Sequence, residues 1–173
     1  MFYYLRQWFH CLKIYALICA FVSGPDRLPS SPHCILLSVF TYFLMGFALV
    51  NDQRDYMAVA SQILFELSLL ALVAFAGLKW KGLLFRFEQT YSALIGINLI
   101  ISAVTLPIFY LIPDGNPETA IQNSLIYTTI AIVFWNLAVL SQIFKRAFEI
   151  NTVMSAMIAF NYFMLYQFTV IWF

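Results

Sequence analysis

Charge is what this sequence has least of. Only 10% of its 173 residues are Asp, Glu, Lys or Arg, whereas 63% are hydrophobic and the mean hydropathy is +0.85. Soluble domains carry about a quarter charged residues, so this chain has too few to cover a water-soluble globule. A formal net charge of +1 also excludes the basic footprint of a nucleic-acid-binding protein. The composition therefore predicts an integral membrane protein, with the lipid bilayer as its first partner.

Histidine is almost as scarce, and this removes several enzyme classes. His10 and His33 are the only histidines, and both lie outside the long apolar runs. A haem held between helices, a Ser–His pair at membrane depth and an HExxH metalloprotease are therefore excluded. The acidic residues are too scattered for a metal–phosphate site. We predict no enzymatic activity, no cofactor and no metal.

Cysteine occurs three times, and every copy lies near the N-terminus. The spacing of Cys11, Cys19 and Cys34 fits neither a zinc site nor a CxxC redox motif. Free cysteine is commonly buried as a small apolar residue. We therefore expect these thiols to fill space in the helix bundle, and they do not indicate a redox compartment.

Apolar runs dominate the rest of the chain, and crossing a bilayer takes about 20 such residues. Five runs qualify as spans, at about 34–50, 56–78, 91–112, 120–144 and 152–173, and the first is the shortest. Short connectors separate them, including the turn sequence PDGNPE at 113–118. The sequence therefore predicts an all-α membrane protein whose residues 34–173 form one bundle of five transmembrane helices.

Residues 1–33 form a different kind of segment. Arg6, His10 and Lys13 recur at i, i+4 and i+7 among aromatic and aliphatic residues, which makes a basic stripe on a helix. This pattern predicts an amphipathic helix in the membrane interface, followed by a proline-rich connector. The alternative is a signal peptide with IYALICAFV as its apolar region, but its aromatic-rich start and the following PDR sequence argue against cleavage.

The basic residues also predict an orientation. With the N-terminus inside and the C-terminus outside, eight of the nine Lys and Arg residues fall in inner segments, as the positive-inside rule requires. A four-span arrangement would leave residues 152–173 elsewhere, and their few polar residues disfavour it. The inner cations are Arg6, Lys13, Arg27, Lys79, Lys81, Arg86, Lys145 and Arg146, and His10 joins them at the interface.

Glu66 stands in the middle of the apolar run SQILFELSLL, without Lys or Arg within 11 residues on either side. A charged group at the bilayer centre costs about 2.5 kcal/mol or more, so we expect it to face the bundle interior, neutral, donating a hydrogen bond to an asparagine carbonyl. Other polar residues lie at similar depth. The predicted intramembrane polar cluster is Gln62, Glu66, Asn98, Ser102, Asn136 and Asn161.

Two interpretations of this cluster remain open. The favoured one is structural, with interhelical hydrogen bonds worth about 0.6 kcal/mol each. The other makes Glu66 a proton carrier or cation ligand in a small transporter, which usually needs a second titratable group or a broken helix. Pro107 interrupts span three, but nearer its outer end. In the same span, Ser92 and Gly96 form a small-xxx-small pair that predicts close approach of a neighbouring backbone.

Two stretches carry a family resemblance. GLLFRFEQTYSALIGINL (82–99) and FWNLAVLSQIFKRAFEINTVMSAMIA (134–159) resemble the Yip1-domain membrane proteins. The resemblance implies five spans, a cytosolic N-terminus, a role in membrane organisation and no catalytic residues. The chain lacks the family's long soluble N-terminal region and DLYGP-type motif, which favours a short bacterial relative in the cytoplasmic membrane. We expect a non-enzymatic scaffold or accessory subunit that binds other membrane proteins, or itself as a homo-oligomer, through helix faces.

Overall fold

The computed structural model describes residues 2–48, 56–110 and 119–172, with side chains for 6–48, 56–108 and 125–168. The predicted turn at 113–118 lies outside the described residues. The prediction of an all-α chain is confirmed: within the described ranges the chain forms helices and short connectors, without a β-strand.

The described residues form six α-helices in succession. They are α1 (Phe2–Cys19), α2 (Pro32–Ala48), α3 (Tyr56–Lys81), α4 (Phe87–Tyr110), α5 (Thr119–Phe148) and α6 (Thr152–Trp172), with 3₁₀ turns at Pro25–Arg27 and Leu84–Arg86. Among the described residues, three helical stretches are long and apolar enough to cross a membrane: Tyr56–Lys81, Leu84–Ile108 and Leu125–Phe148. The apolar helix α2 is shorter.

Tight backbone turns end the helices at the basic connectors. After α3, Gly82 adopts a φ of +70°, and the N–H of Leu83 bonds the carbonyl of Leu78 at 2.8 Å. This left-handed termination satisfies carbonyls that the helix end would leave unpaired. After α5 the corresponding position is Glu149, at a φ of +52°. Asn151 then caps α6 by accepting a backbone N–H of its first turn at 2.8 Å.

The helix α4 lies at the centre of the bundle. Every residue from Ser92 to Leu99 is buried, and α4 packs against α1, α2, α3 and α5. Half of its apolar stretch is buried, against 17% of the stretch in α5. A helix that is apolar and buried around its circumference belongs in the interior, so α4 organises the packing of the others.

The helix α1, which the sequence predicts to lie in the membrane interface, is part of this packing. Its buried stripe of Cys11, Ile14, Tyr15 and Ile18 belongs to the same core cluster as residues of α4 and α2. The predicted basic residues Arg6, His10 and Lys13 are exposed. One apolar side of α1 is thus covered by protein, whereas Phe9 is 62% exposed. The position of α1 in the membrane interface stays a prediction.

The end of α1 reaches well into the bundle. The indole N–H of Trp135 donates to the carbonyl of Cys19 at 2.9 Å. Trp135 precedes Lys145 by ten residues, or about 15 Å along α5. Because this bond satisfies an orphan carbonyl at the C-terminus of α1, it explains a tryptophan inside a predicted span, away from the interfacial belts where this residue is usual.

Candidate functional site

A buried carboxyl group joins three helices in the apolar interior. Glu66 of α3 is only 6% exposed. The hydroxyl of Tyr42 on α2 donates to its Oε2 at 2.7 Å, and Nδ2 of Asn98 on α4 donates to its Oε1 at 2.9 Å. Both carboxyl oxygens are therefore hydrogen-bonded, one to each neighbouring helix.

A fourth helix reaches the same group through two tyrosines. Tyr166 of α6 hydrogen-bonds Glu66, and its hydroxyl accepts from Nε2 of Gln62 at 3.4 Å. Tyr162, also on α6, hydrogen-bonds Asn98. We call the resulting set the polar hub. Its members are Tyr42, Gln62, Glu66, Asn98, Tyr162 and Tyr166.

Two pairs of hub residues lie four positions apart on their helices. Gln62 and Glu66 are four apart on α3, and Tyr162 and Tyr166 are four apart on α6, so each pair shares one helix face. Ile63, Leu67 and Leu70 are buried beside Glu66 and exclude water from it. The carboxyl thus lies in a dry environment, where hydrogen bonds are strong and an unpaired polar group is costly.

The hub donates hydrogen bonds to Glu66, which is the reverse of the expected bond from a neutral acid to an asparagine carbonyl. The predicted spans contain no Lys or Arg. Hydrogen bonds with Tyr42, Asn98 and Tyr166 are therefore the polar contacts that compensate the burial of this carboxyl group.

The structure brings together only part of the predicted polar cluster. Gln62, Glu66 and Asn98 meet in the hub, whereas Ser102 is half-buried one turn beyond Asn98 without a hydrogen bond to Glu66 among the described residues. Asn136 is half-buried on α5, and its Oδ1 lacks a partner in the described part of the chain. Asn161 is exposed and bonds its own helix at the carbonyl of Met157, 2.8 Å away.

The three tyrosines are the hub residues that the sequence analysis missed. The chain has ten tyrosines, and tyrosine in a membrane helix is most often an interfacial residue. The available signal was depth: Tyr42 and Tyr162 lie near the middle of their predicted spans, where a hydroxyl needs a buried partner.

A second polar contact anchors α1. The hydroxyl of Tyr15 is 2.7 Å from Oγ of Ser92 on α4 and 3.2 Å from Oγ of Ser38 on α2. The ring of Tyr15 lies against Gly96, where a Cβ would overlap it. The small pair of Ser92 and Gly96 therefore receives a tyrosine side chain, whereas the sequence predicts a neighbouring backbone.

The basic connectors meet at one end of the bundle. Nη1 of Arg86, in the connector after α3, is 2.8 Å from Oε1 of Glu149, in the connector after α5. Lys79, Lys81 and Arg86 lie over aromatic rings of Phe75, Trp80 and Phe85 at 4.8–5.8 Å. Lys145 donates to Oγ1 of Thr152 at 2.8 Å. Cations beside aromatic rings are typical of a membrane–water interface.

The N-terminal thiols are buried and free. The thiol of Cys11 lies 2.9 Å from that of Cys34. Burial raises the pKa of Cys11 to about 12, with further contributions from the hydrogen bond and charge of Cys34. Among the described residues, groups of three or more His, Cys, Asp or Glu that could hold a metal ion do not occur.

Comparison of this chain with protein-family models, with curated proteins and with solved structures found no match.

Proposed function

We propose that this chain is a non-enzymatic scaffold or accessory subunit of a bacterial cytoplasmic membrane, which binds other membrane proteins or itself through helix faces. In this proposal α2 to α6 are five transmembrane helices, the N-terminus is inside and the C-terminus is outside. The resemblance to Yip1-domain proteins is consistent with this role and stays a prediction.

One observation carries the proposal: the hydrogen bonds of Glu66 are directed to other helices of the same bundle. Tyr42 and Asn98 occupy its two oxygens at 2.7 and 2.9 Å, and Tyr166 adds a third bond. A carboxyl group with such partners holds α2, α3, α4 and α6 together. In this proposal Glu66, the acidic residue within the spans, stabilises the bundle. Other membrane proteins are then bound by the outer faces of the helices.

Those outer faces supply abundant apolar surface. Leu64, Leu72 and Phe75 on α3 and Phe134 on α5 are between 48% and 68% exposed. In a bilayer this surface meets lipid or another membrane protein. The clustering of the basic connectors at one end, with Arg86 bonded to Glu149, supports the proposed orientation because cations concentrate on the inner side.

The proposal is tested with Glu66→Gln and Glu66→Leu in purified protein and in proteoliposomes. Gln keeps hydrogen-bonding capacity but cannot exchange a proton, whereas Leu removes both. We expect neither variant to alter proton or cation flux, and we expect Leu to lower bundle stability more than Gln. A proton-driven flux in the unaltered protein that Glu66→Gln abolishes, with the fold intact, would overturn the scaffold.

The alternative is a small proton-coupled transporter that uses Glu66, and the tyrosines favour it as a second candidate. The hydroxyls of Tyr42 and Tyr166 contact the carboxyl group directly, and Gln62 extends this chain of hydrogen bonds along α3. Hydroxyl groups in sequence can pass a proton. The flux measurement on Glu66→Gln separates the two functions, and mild-detergent purification identifies proteins retained by the unaltered chain.

A further inference from the structure

Asn161 is a polar side chain on the exposed surface of an apolar helix, where lipid would offer it no hydrogen bond. It is the tenth of the 21 residues of α6, close to the middle of the helix, and it is exposed. Its Nδ2 donates to the carbonyl of Met157 at 2.8 Å. A side-chain amide has two N–H donors and an oxygen with two lone pairs, so this one bond leaves most of its capacity open to the bundle's surroundings.

The exposed hydroxyls of Ser68 and Thr129 differ from Asn161. The hydroxyl of Ser68 donates to Leu64 at 2.7 Å, and that of Thr129 donates to Leu125 at 2.9 Å. A hydroxyl has a single donor, which the carbonyl one turn earlier uses completely. An amide cannot be satisfied in this way, and hydrocarbon offers neither donors nor acceptors. Among the described residues Asn161 has no further hydrogen bond, so the open part of its amide calls for a polar partner from outside the bundle.

The residues around Asn161 form a regular face. Met154, Asn161 and Phe168 are seven apart, and Met157 and Met164 alternate with them at the same interval. The four apolar members are 37–63% exposed. This is the a/d pattern of a helix seam, with one asparagine at a central a position, a placement that fixes register and oligomeric state in coiled coils. The opposite face, with Ser155, Ala159 and Tyr162, is buried in the bundle.

We propose that this face, the α6 seam, binds the α6 seam of a second copy of the chain in a parallel, two-fold symmetric dimer. The inference rests on the proposed function and gives it a specific surface. All copies of a membrane protein share one orientation, so a symmetric dimer has its axis along the membrane normal and each seam residue faces itself. Asn161 then meets Asn161 at the same depth, and each amide donates to the oxygen of the other.

The test measures Förster transfer between donor- and acceptor-labelled full-length protein in liposomes, over a range of protein-to-lipid ratios. Asn161→Leu removes the amide at constant apolar volume. We expect it to weaken dimerisation about tenfold, the scale of one to two interhelical hydrogen bonds. The matched control is Gln167→Leu, which removes an exposed amide nearer the end of the same helix, where headgroups and water can satisfy it, and which should leave transfer unchanged. Equal transfer in both variants would overturn the dimer.

Cysteine cross-linking in the same liposomes tests the geometry. Met164→Cys on the seam should form a dimer under mild oxidation with copper phenanthroline, whereas Ala156→Cys, exposed on another side of α6, should not. Cross-linking of both at equal rates, or of neither, would contradict the proposal. A monomer without proton flux would refute the dimer and leave the proposed function standing, whereas flux that requires Glu66 would refute that function.

Discussion

The ring of Tyr15 lies directly against Gly96, so that a Cβ at residue 96 would occupy the space of the ring atoms. The tyrosine hydroxyl continues past the glycine to Ser92 at 2.7 Å. The side chain of Tyr15 on α1 thereby contacts both small residues of α4. Its ring packs against Gly96, and its hydroxyl hydrogen-bonds Ser92. This contact holds the N-terminal helix in the bundle.

Substitution of Gly96 by Val should displace α1. Overfilling a packed core typically costs about 1–3 kcal/mol, and the ring of Tyr15 is fully buried, which leaves it little room to move. We expect a lower thermal midpoint in detergent or nanodiscs and faster proteolysis of the N-terminal segment. Ala103→Val adds a branched side chain at an exposed site of the same helix and serves as control. Equal stability of the two variants would contradict the contact.

Tyr42→Phe tests the hydrogen bond to Glu66. The change removes the donor 2.7 Å from Oε2 and leaves that oxygen buried without it. Loss of a partner for a buried group costs about 1–3 kcal/mol, and more when the group is charged. We expect this loss in the free energy of unfolding, measured by denaturant titration in mixed micelles. Tyr127→Phe removes a hydroxyl from an exposed tyrosine of α5 and should change stability little.

A double-mutant cycle separates this bond from general effects of the substitutions. Tyr42→Phe should cost less in a Glu66→Leu background than alone, because the acceptor is already absent. Contacting residues give coupling energies of about 0.5–3 kcal/mol. A coupling energy of zero would show that Tyr42 contributes through packing, and the structural role of the polar hub would lose its main support.

The prediction of an all-α fold rested on the helical period and on the length of the apolar runs. The runs predicted at 56–78 and 91–112 correspond to α3 and α4, because a long apolar run satisfies its own backbone hydrogen bonds when it forms a helix. Helix continued through Lys81 and Phe148, beyond the predicted ends, since basic residues in a last turn are compatible with the helix dipole. Periodicity defines the faces of each helix and leaves open which helix covers which face.

In the candidate site, too, the sequence predicted features within one helix and missed contacts between helices. Depth alone identified Glu66, and spacing identified Gln62 beside it, since both depend on one helix. Tyr42, Asn98 and Tyr166 come from three other helices, and their meeting depends on rotation and tilt that no local pattern specifies. For the same reason Asn161 was expected in the interior cluster, whereas its amide is exposed on the outer side of α6.

The buried thiols make a prediction about reactivity and pH. Burial raises the pKa of Cys11 to about 12 and that of Cys19 to about 11, from an ordinary value of 9.0. Only a thiolate attacks iodoacetamide, so at pH 8 the rise in the pKa of Cys11 from 9.0 to about 12 lowers its reactive fraction roughly a thousandfold. We expect labelling of the native thiols only after denaturation, whereas an exposed Ser30→Cys should react in the folded protein.

The same shift sets the direction of a pH dependence. The folded state holds the Cys11 proton more tightly than the unfolded state, so this contribution to stability is complete below about pH 9 and declines as pH rises toward 12. Unfolding midpoints measured from pH 8 to 11 should fall, and Cys11→Ala should reduce the fall. An identical slope in that variant would assign the alkaline loss to other groups.

The orientation is testable with single cysteines added to connectors, because the native thiols are buried. Gln53→Cys and Asn116→Cys mark the two proposed outer connectors, and Leu84→Cys and Glu149→Cys mark inner ones. Leu84 and Glu149 are exposed, whereas the neighbouring Ala147 is only 2% exposed and would label poorly. A membrane-impermeant maleimide applied to intact cells should modify positions 53 and 116 and reach 84 and 149 only after permeabilisation. Modification of positions 53 and 149 from the same side would exclude the five-span arrangement, because an odd number of spans, α3, α4 and α5, separates those two connectors in it.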